Sequence, residues 1–110
     1  MSWSVACPAS ELETDMPFSV DVEGTLVAIV RTGEGLFAIQ DECSHGAVML
    51  SHGEVEDCTI ECFAHGSRFD LRTGEPLELP ATRPVPVYPV TIEGDDVLVD
   101  LTNPITTQES

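Results

Sequence analysis

The chain has 110 residues, enough for one domain and too few for two with separate cores. Twenty acids face four arginines and no lysine, a formal charge of −16, so phosphate backbones and anionic lipid are repelled and neither nucleic acid nor a membrane surface is an expected partner. The start "MSWSVACPAS" has no basic stretch leading into an apolar one, and no apolar run approaches about 18 residues; the reading is a cytoplasmic chain with no membrane span.

In chain order, "SWSVAC" reads as a first strand stopped by Pro8. The polar "ASELETDMP" has room for one short turn. "FSVDV" alternates, with Phe18, Val20 and Val22 on one face and Ser19 and Asp21 on the other. Glu23-Gly24 is a tight turn into "TLVAIVR", a nearly continuous apolar strand expected to be buried on both faces. "TGEG" turns again into "LFAIQ", and the three strands make an antiparallel meander.

From Asp41 to about Asp70 glycines punctuate short segments, "EVE" and "TIEC" among them. The proline-rich "LPATRPVPVYPV" cannot donate along a ladder and is expected at an edge or as a stiff covering loop. "VTIEGDDVLVDL" closes the domain as a hairpin turning at Gly94-Asp95, before a polar tail. The pattern is an all-β framework carrying one glycine-rich insertion.

That insertion holds the chemistry. Cys43-x-His45 is followed by sixteen residues and then by Cys62-x-x-His65. In a cytoplasmic chain cysteines are thiols or metal ligands before they are disulfides. Zinc accepts two thiolates and two imidazoles, but its sites usually pair like with like, as C-x₂₋₄-C with H-x₃₋₅-H. Two mixed boxes suit a two-iron site better, thiolates on one iron and imidazoles on the other with sulfides bridging.

The pattern C-x-H-x₁₆-C-x-x-H resembles the Rieske [2Fe–2S] motif. Gly66 after the second histidine, the "GSRFD" that it opens, and the later proline loop extend the resemblance over Trp3 to Leu101. The resemblance implies a Rieske-like antiparallel β sandwich or barrel, a single domain over 1–103 with a small cluster-binding subdomain of two loops at about 41–70, and a polar tail at 104–110. It implies one Rieske-type [2Fe–2S] cluster per subunit, with Cys43 and Cys62 on the inner iron and His45 and His65 on the outer one. Neutral imidazoles lower the cluster's negative charge, which puts Rieske potentials at about −150 to +300 mV against about −400 mV for plant-type four-cysteine ferredoxins.

Around the ligands, Gly46, Val48, Ala64, Gly66, Ser67, Phe69 and Pro84 are the expected surroundings of the cluster. Rieske proteins of the cytochrome bc type have a cysteine pair where this chain has Val48 and Ala64, and a tyrosine where it has Phe69. The missing phenol removes a hydrogen bond to a cluster thiolate and implies a potential in the lower part of the range. The Ser67 hydroxyl remains for a bridging sulfide, and Pro84 covers the third side. Val48, Met49 and Phe63, with Leu50, either form an apolar docking skirt or pack the two loops together.

The carriers that the chain resembles serve aromatic-ring-hydroxylating dioxygenases. The implied role is one-electron transfer from a flavin-dependent reductase to a terminal oxygenase, by a monomer in a short-lived complex. No catalytic residue is expected: Ser44, Ser51 and Ser67 are not in a nucleophile-elbow context, and His52 is the only other histidine, too few for a mononuclear iron triad. A role in iron–sulfur cluster assembly and a structural zinc domain stand as alternatives. The acidity serves either solubility or docking to basic patches, which salt would weaken. Cys7 and Cys58 read as small buried thiols, His52 as a surface residue, and Arg68, Arg72 and Arg83 as partners of nearby acids.

Overall fold

The longest apolar run, Thr25–Thr32, lies inside the largest sheet as strand β3. The computed structural model describes residues 3–42, 49–62, 66–77 and 84–102. Within them β1 is Trp3–Pro8, β2 Phe18–Val22, β4 Gly35–Gln40, β5 Val55–Glu56 and β6 Thr59–Glu61. Then follow β7 at Arg68–Asp70, β8 at Val87–Tyr88, β9 at Val90–Glu93 and β10 at Asp96–Asp100. They form three antiparallel sheets in the orders β1-β10-β9, β2-β3-β4-β8 and β5-β6-β7, so the expected all-β fold is found.

The burial of β3 follows from its alternation. Ala28 and Val30 point into a first core, which they share with Ile39, Leu50, Ile60, Cys62, Phe69 and others. Val27 and Ile29 point the other way, into a second core with Cys7, Leu12, Val22, Val97 and Val99. All four are fully buried, as a strand covered on both faces must be. β4 and β8 divide the same way: Ile39 and Val87 face the first core, Ala38 and Tyr88 the second.

Three two-residue turns set the registers. Glu23 and Gly24 both have positive φ, 50° and 89°, the combination that a type I′ hairpin demands. Gly94 supplies φ 64° between Glu93 and its partner Asp96. Asp57 and Cys58 make the third turn without glycine, at φ 51° and 60°. A left-handed L-residue costs roughly 1–2 kcal/mol, and here the burial of the Cys58 side chain in the first core offsets it.

The proline stretch is both things expected of it. Val87–Tyr88 is the outer strand of the central sheet, and Val85 N–H donates to Gly74 O at 2.9 Å, covering the first core. Two features go beyond the sequence reading. β1 pairs with β10, with a bulge between Val5 and Cys7, which ties the two ends of the chain together. β5, β6 and β7 build a sheet of their own rather than loose segments. Its strands have two or three residues, too few to display a period of two. Among the described residues no helix is long and apolar enough to cross a membrane.

Cys7 and Cys58 are buried free thiols, as expected. Burial, with Glu11 nearby, pushes the Cys7 thiol up; burial and Glu34 push Cys58 up against the opposing pull of Arg72. Raised values keep both protonated and inert. The folded protein is expected to leave both unalkylated by iodoacetamide at about pH 8, as read by mass spectrometry of labelled peptides. Rapid modification of either would contradict this. A thiol raised on folding supports stability below its unfolded pKa, and that support fades as pH rises through the folded value. These two sites therefore favour loss of stability on the alkaline side.

Candidate metal centre

The first box is carried between two stems. One follows β4 with Asp41 and Glu42; the other begins at Met49 and enters a single 3₁₀ turn, Leu50–His52. Asp41 N–H donates to Leu26 O at 2.9 Å, which fixes that stem to β3. Its carboxylate, 1% exposed, reaches across to the other stem. Oδ1 accepts from Ser51 N–H and Oδ2 from the Ser51 hydroxyl, both at 2.7 Å. Leu50 is fully buried in the first core and pins the same turn from below. That removes Leu50 from the docking skirt: it packs the loops. Met49 is half-buried and lines a recess of about 430 Å³ with Leu26, Gln40 and Glu42.

The second box leaves the end of β6. Cys62 is a free thiol with no exposed surface, in the wall of the first core. Its N–H donates to Ser67 O at 2.6 Å, and its carbonyl accepts from Gly66 N–H at 2.8 Å. Gly66 has φ +77°, a left-handed position that glycine takes without strain, and β7 runs back alongside β6. Ser67 and Phe69 are fully buried, and Phe69 shares the core with Cys62 and Leu50.

The segment that follows the first box and the strand that leads to Cys62 are held to each other by backbone. Gly53 lies against the carbonyl of Glu61, the residue before Cys62, so closely that a Cβ there would overlap the oxygen. Glu61 N–H donates to Glu54 O at 2.9 Å in the same contact. On another side Gly74, at φ +80°, is pressed against the carbonyl of Val85, next to half-buried Pro84.

The arginines do what was expected of them where they are described. Arg68 pairs with Glu56 and Glu61 at 3.6 and 3.8 Å, and Arg72 with Glu34 and Asp70 at 3.3 and 3.2 Å. Burial opposes the Asp70 charge, but the hydrogen bonds and charge of Arg72 win and hold that carboxyl below its usual range. His52 is exposed, as read from the sequence.

Of the residues singled out from sequence, Met49, Cys62, Gly66, Ser67, Phe69 and Pro84 are described, and the first core gathers Cys62 and Phe69. Cys43, His45, Gly46, Val48, Phe63, Ala64, His65 and Arg83 lie outside the described residues, as does the polar tail. Asp41, Gly53 and Gly74 were missed as parts of the site. An acid two residues before a candidate ligand was the one available signal for Asp41, and it is weak in a chain with twenty acids. The two glycines carried none, because only their neighbours give them a reason.

Residues 2–89 match the Rieske [2Fe–2S] domain family. The chain belongs to that family. With it come a single Rieske-type [2Fe–2S] cluster and the role of electron carrier rather than catalyst. The chain is 40% identical over 97 residues to the 3-phenylpropionate/cinnamic acid dioxygenase ferredoxin subunit of Shigella boydii, covering 87% of this chain and 91% of that one. In structure it is similar to the ferredoxin of carbazole 1,9a-dioxygenase from Nocardioides aromaticivorans IC177. That match has a TM-score of 0.84 at 36% identity and covers 90% and 97% of the two chains. A complex of reduced oxygenase and oxidized ferredoxin in carbazole 1,9a-dioxygenase contains a further similar chain, with a TM-score of 0.81 at 34% identity over 88% and 91%.

The described residues fit such a cluster. Cys62 offers a thiol withdrawn from solvent and free of any disulfide, and its own backbone is bonded to Gly66 and Ser67. The remaining donors named by the motif are the thiol and imidazoles that a Rieske centre takes. The zinc alternative loses its ground to the family match.

Proposed function

We propose that this chain is the ferredoxin of a ring-hydroxylating dioxygenase system, taking one electron at a time from a flavin-dependent reductase and passing it to a terminal oxygenase. It acts as a cytoplasmic monomer. Cys43 and Cys62 hold the inner iron, and His45 and His65 the outer one. The observation that carries the reading is the likeness, at 40% identity over 87% of this chain and 91% of the other, to a dioxygenase ferredoxin subunit. The mixed thiolate and imidazole set agrees with it.

The bound cluster supplies a one-electron couple. The protein's part is to hold it rigidly and to dock. Cys62 is placed by its main-chain bonds to Gly66 and Ser67, and Leu50 and Phe69 fill the core behind it. Close packing of this kind keeps solvent and side chains from reorganising when the electron arrives. The charge of −16 steers basic partner surfaces toward the chain.

The test begins with colour. Protein isolated without oxygen is expected to be reddish-brown, with two irons and two sulfides per chain and a rhombic electron spin resonance signal averaging below that of four-cysteine clusters. Cys62→Ala is expected to be colourless and to retain iron at background level. The wild-type protein should then support substrate turnover by a ring-hydroxylating oxygenase with a reductase present, at a rate that falls with added salt. A colourless wild-type protein with one zinc overturns the cluster assignment. A clustered protein that drives no such oxygenase overturns the partner assignment and leaves the assembly-system role.

A further inference from the structure

Two acids stand beside the expected ligands in the chain, Asp41 two residues before Cys43 and Glu61 one residue before Cys62. Their surroundings differ. Glu61 lies on β6 opposite Arg68 of β7, whose guanidinium is 3.8 Å from its carboxylate, and its side chain is 33% exposed. Solvent and a cation both offset that charge. Asp41 is 1% exposed. The two bonds that its carboxylate accepts, at 2.7 Å each, come from the N–H and the hydroxyl of Ser51, both neutral groups. Among the described residues Asp41 forms no ion pair. Ser51 adjoins Leu50, and Leu50 is sunk in the core whose wall contains Cys62. The compartment of Cys62 therefore has a negative charge at its margin, withdrawn from water.

A fixed charge acts on any change of charge near it. Away from water that action is stronger, and salt weakens it little. Reduction of the centre adds one negative charge.

We propose that Asp41 lowers the reduction potential of the centre, as a fixed negative charge that makes the added electron harder to accept and easier to pass on. Asp41 itself exchanges neither proton nor electron. Ser51 is its counterpart: its two donors hold the carboxylate in place and draw part of the charge toward themselves. The proposal rests on the ligand assignment above. It adds a cause of low potential separate from the phenol that Phe69 lacks.

The experiment reads the midpoint potential of the purified holoprotein by redox titration, followed in visible absorbance at low and high salt. Asp41→Asn keeps the shape and both bonds, because an amide accepts from the Ser51 N–H and donates to its hydroxyl. It is expected to favour the reduced form about tenfold, which for one electron is a rise of about 59 mV. The rise should persist at high salt. Glu61→Gln should favour the reduced form about twofold, and that effect should shrink with salt. Glu93→Gln makes the same change of net charge at an exposed position on β9 and should titrate as wild type. Ser51→Ala keeps the charge and removes one donor, so it should disfavour the reduced form about twofold.

An unchanged potential in Asp41→Asn, or a rise no larger than that of Glu93→Gln, overturns the proposal. So does a rise that vanishes at high salt. A rise in Ser51→Ala also overturns it, because the effect would then belong to the geometry of the turn. If Asp41→Asn loses its iron, Ser51→Ala decides alone: a potential at or above the wild-type value overturns the proposal, and a lower one supports it. Iron and sulfide in the wild-type protein are counted first, so failure of the ligand assignment is seen before any variant is compared. No partner protein enters the titration, so failure of the partner assignment leaves its result standing.

Discussion

Replacing Gly53 with alanine is expected to destabilise the protein by about 3 kcal/mol or more and to strip it of iron. The added methyl would overlap the carbonyl oxygen of Glu61, and neither side is free to retreat. Gly53 N–H is bonded to Leu50 O, and Leu50 is sunk in the first core. Glu61 is held by its N–H to Glu54 O and by its place in β6 beside Arg68. Relief must come from parting the segment after the first box from the strand that delivers Cys62. For a domain of this size the loss corresponds to a fall in melting temperature of about 10 °C or more. The check is a urea or thermal melt by circular dichroism, with iron counted per chain. A Gly53→Ala protein that melts within a degree or two of wild type and keeps its iron would show that the contact yields.

Gly74→Ala is the second large effect, and two penalties combine. At φ +80° an L-residue costs roughly 1 kcal/mol or more. The methyl also meets the Val85 carbonyl oxygen and the side chain of Val87. Gly74 cannot swing away, because its N–H is bonded to Asp70 O at 2.6 Å and its carbonyl accepts from Val85 N–H at 2.9 Å. The proline segment would be levered off the first core, exposing Val85 and Val87, at a total cost of about 3 kcal/mol. Asn tolerates the left-handed backbone better than alanine but brings the same clash. Gly74→Asn should therefore melt nearly as low as Gly74→Ala. Recovery of wild-type stability in the Asn variant would mean that backbone conformation, and not the close approach, is what the glycine serves.

The legible parts of the fold were those with enough residues to show a period. β2, β3 and β4 run five to eight residues each and end at turn pairs, so the meander could be read directly. The β9–β10 hairpin was readable for the same reason. The pairing of β1 with β10 was not, because contact across nearly the whole chain leaves no local trace. The sheet of β5, β6 and β7 was hidden by its brevity and by a turn of Asp57 and Cys58 where glycine would have signalled one. At the site, the family was legible because four residues of two types and two spacings agree with its motif. What holds that pattern was not. Asp41 and Ser51 are ten residues apart and no pattern links them, and Leu50 looked as suited to a partner's surface as to the core it occupies.

The alternation of β3 has a practical side. One strand serves two interiors, and adjacent residues report to different tenants: Val27 and Ile29 to the layer that ties the chain ends, Ala28 and Val30 to the layer that contains Cys62. The central sheet therefore acts as a bulkhead. Repacking around Ile29, Ala38 and Val97 offers a way to raise or lower the melting point of this carrier while its redox compartment stays as it was. The same effort one residue along the strand would alter both together.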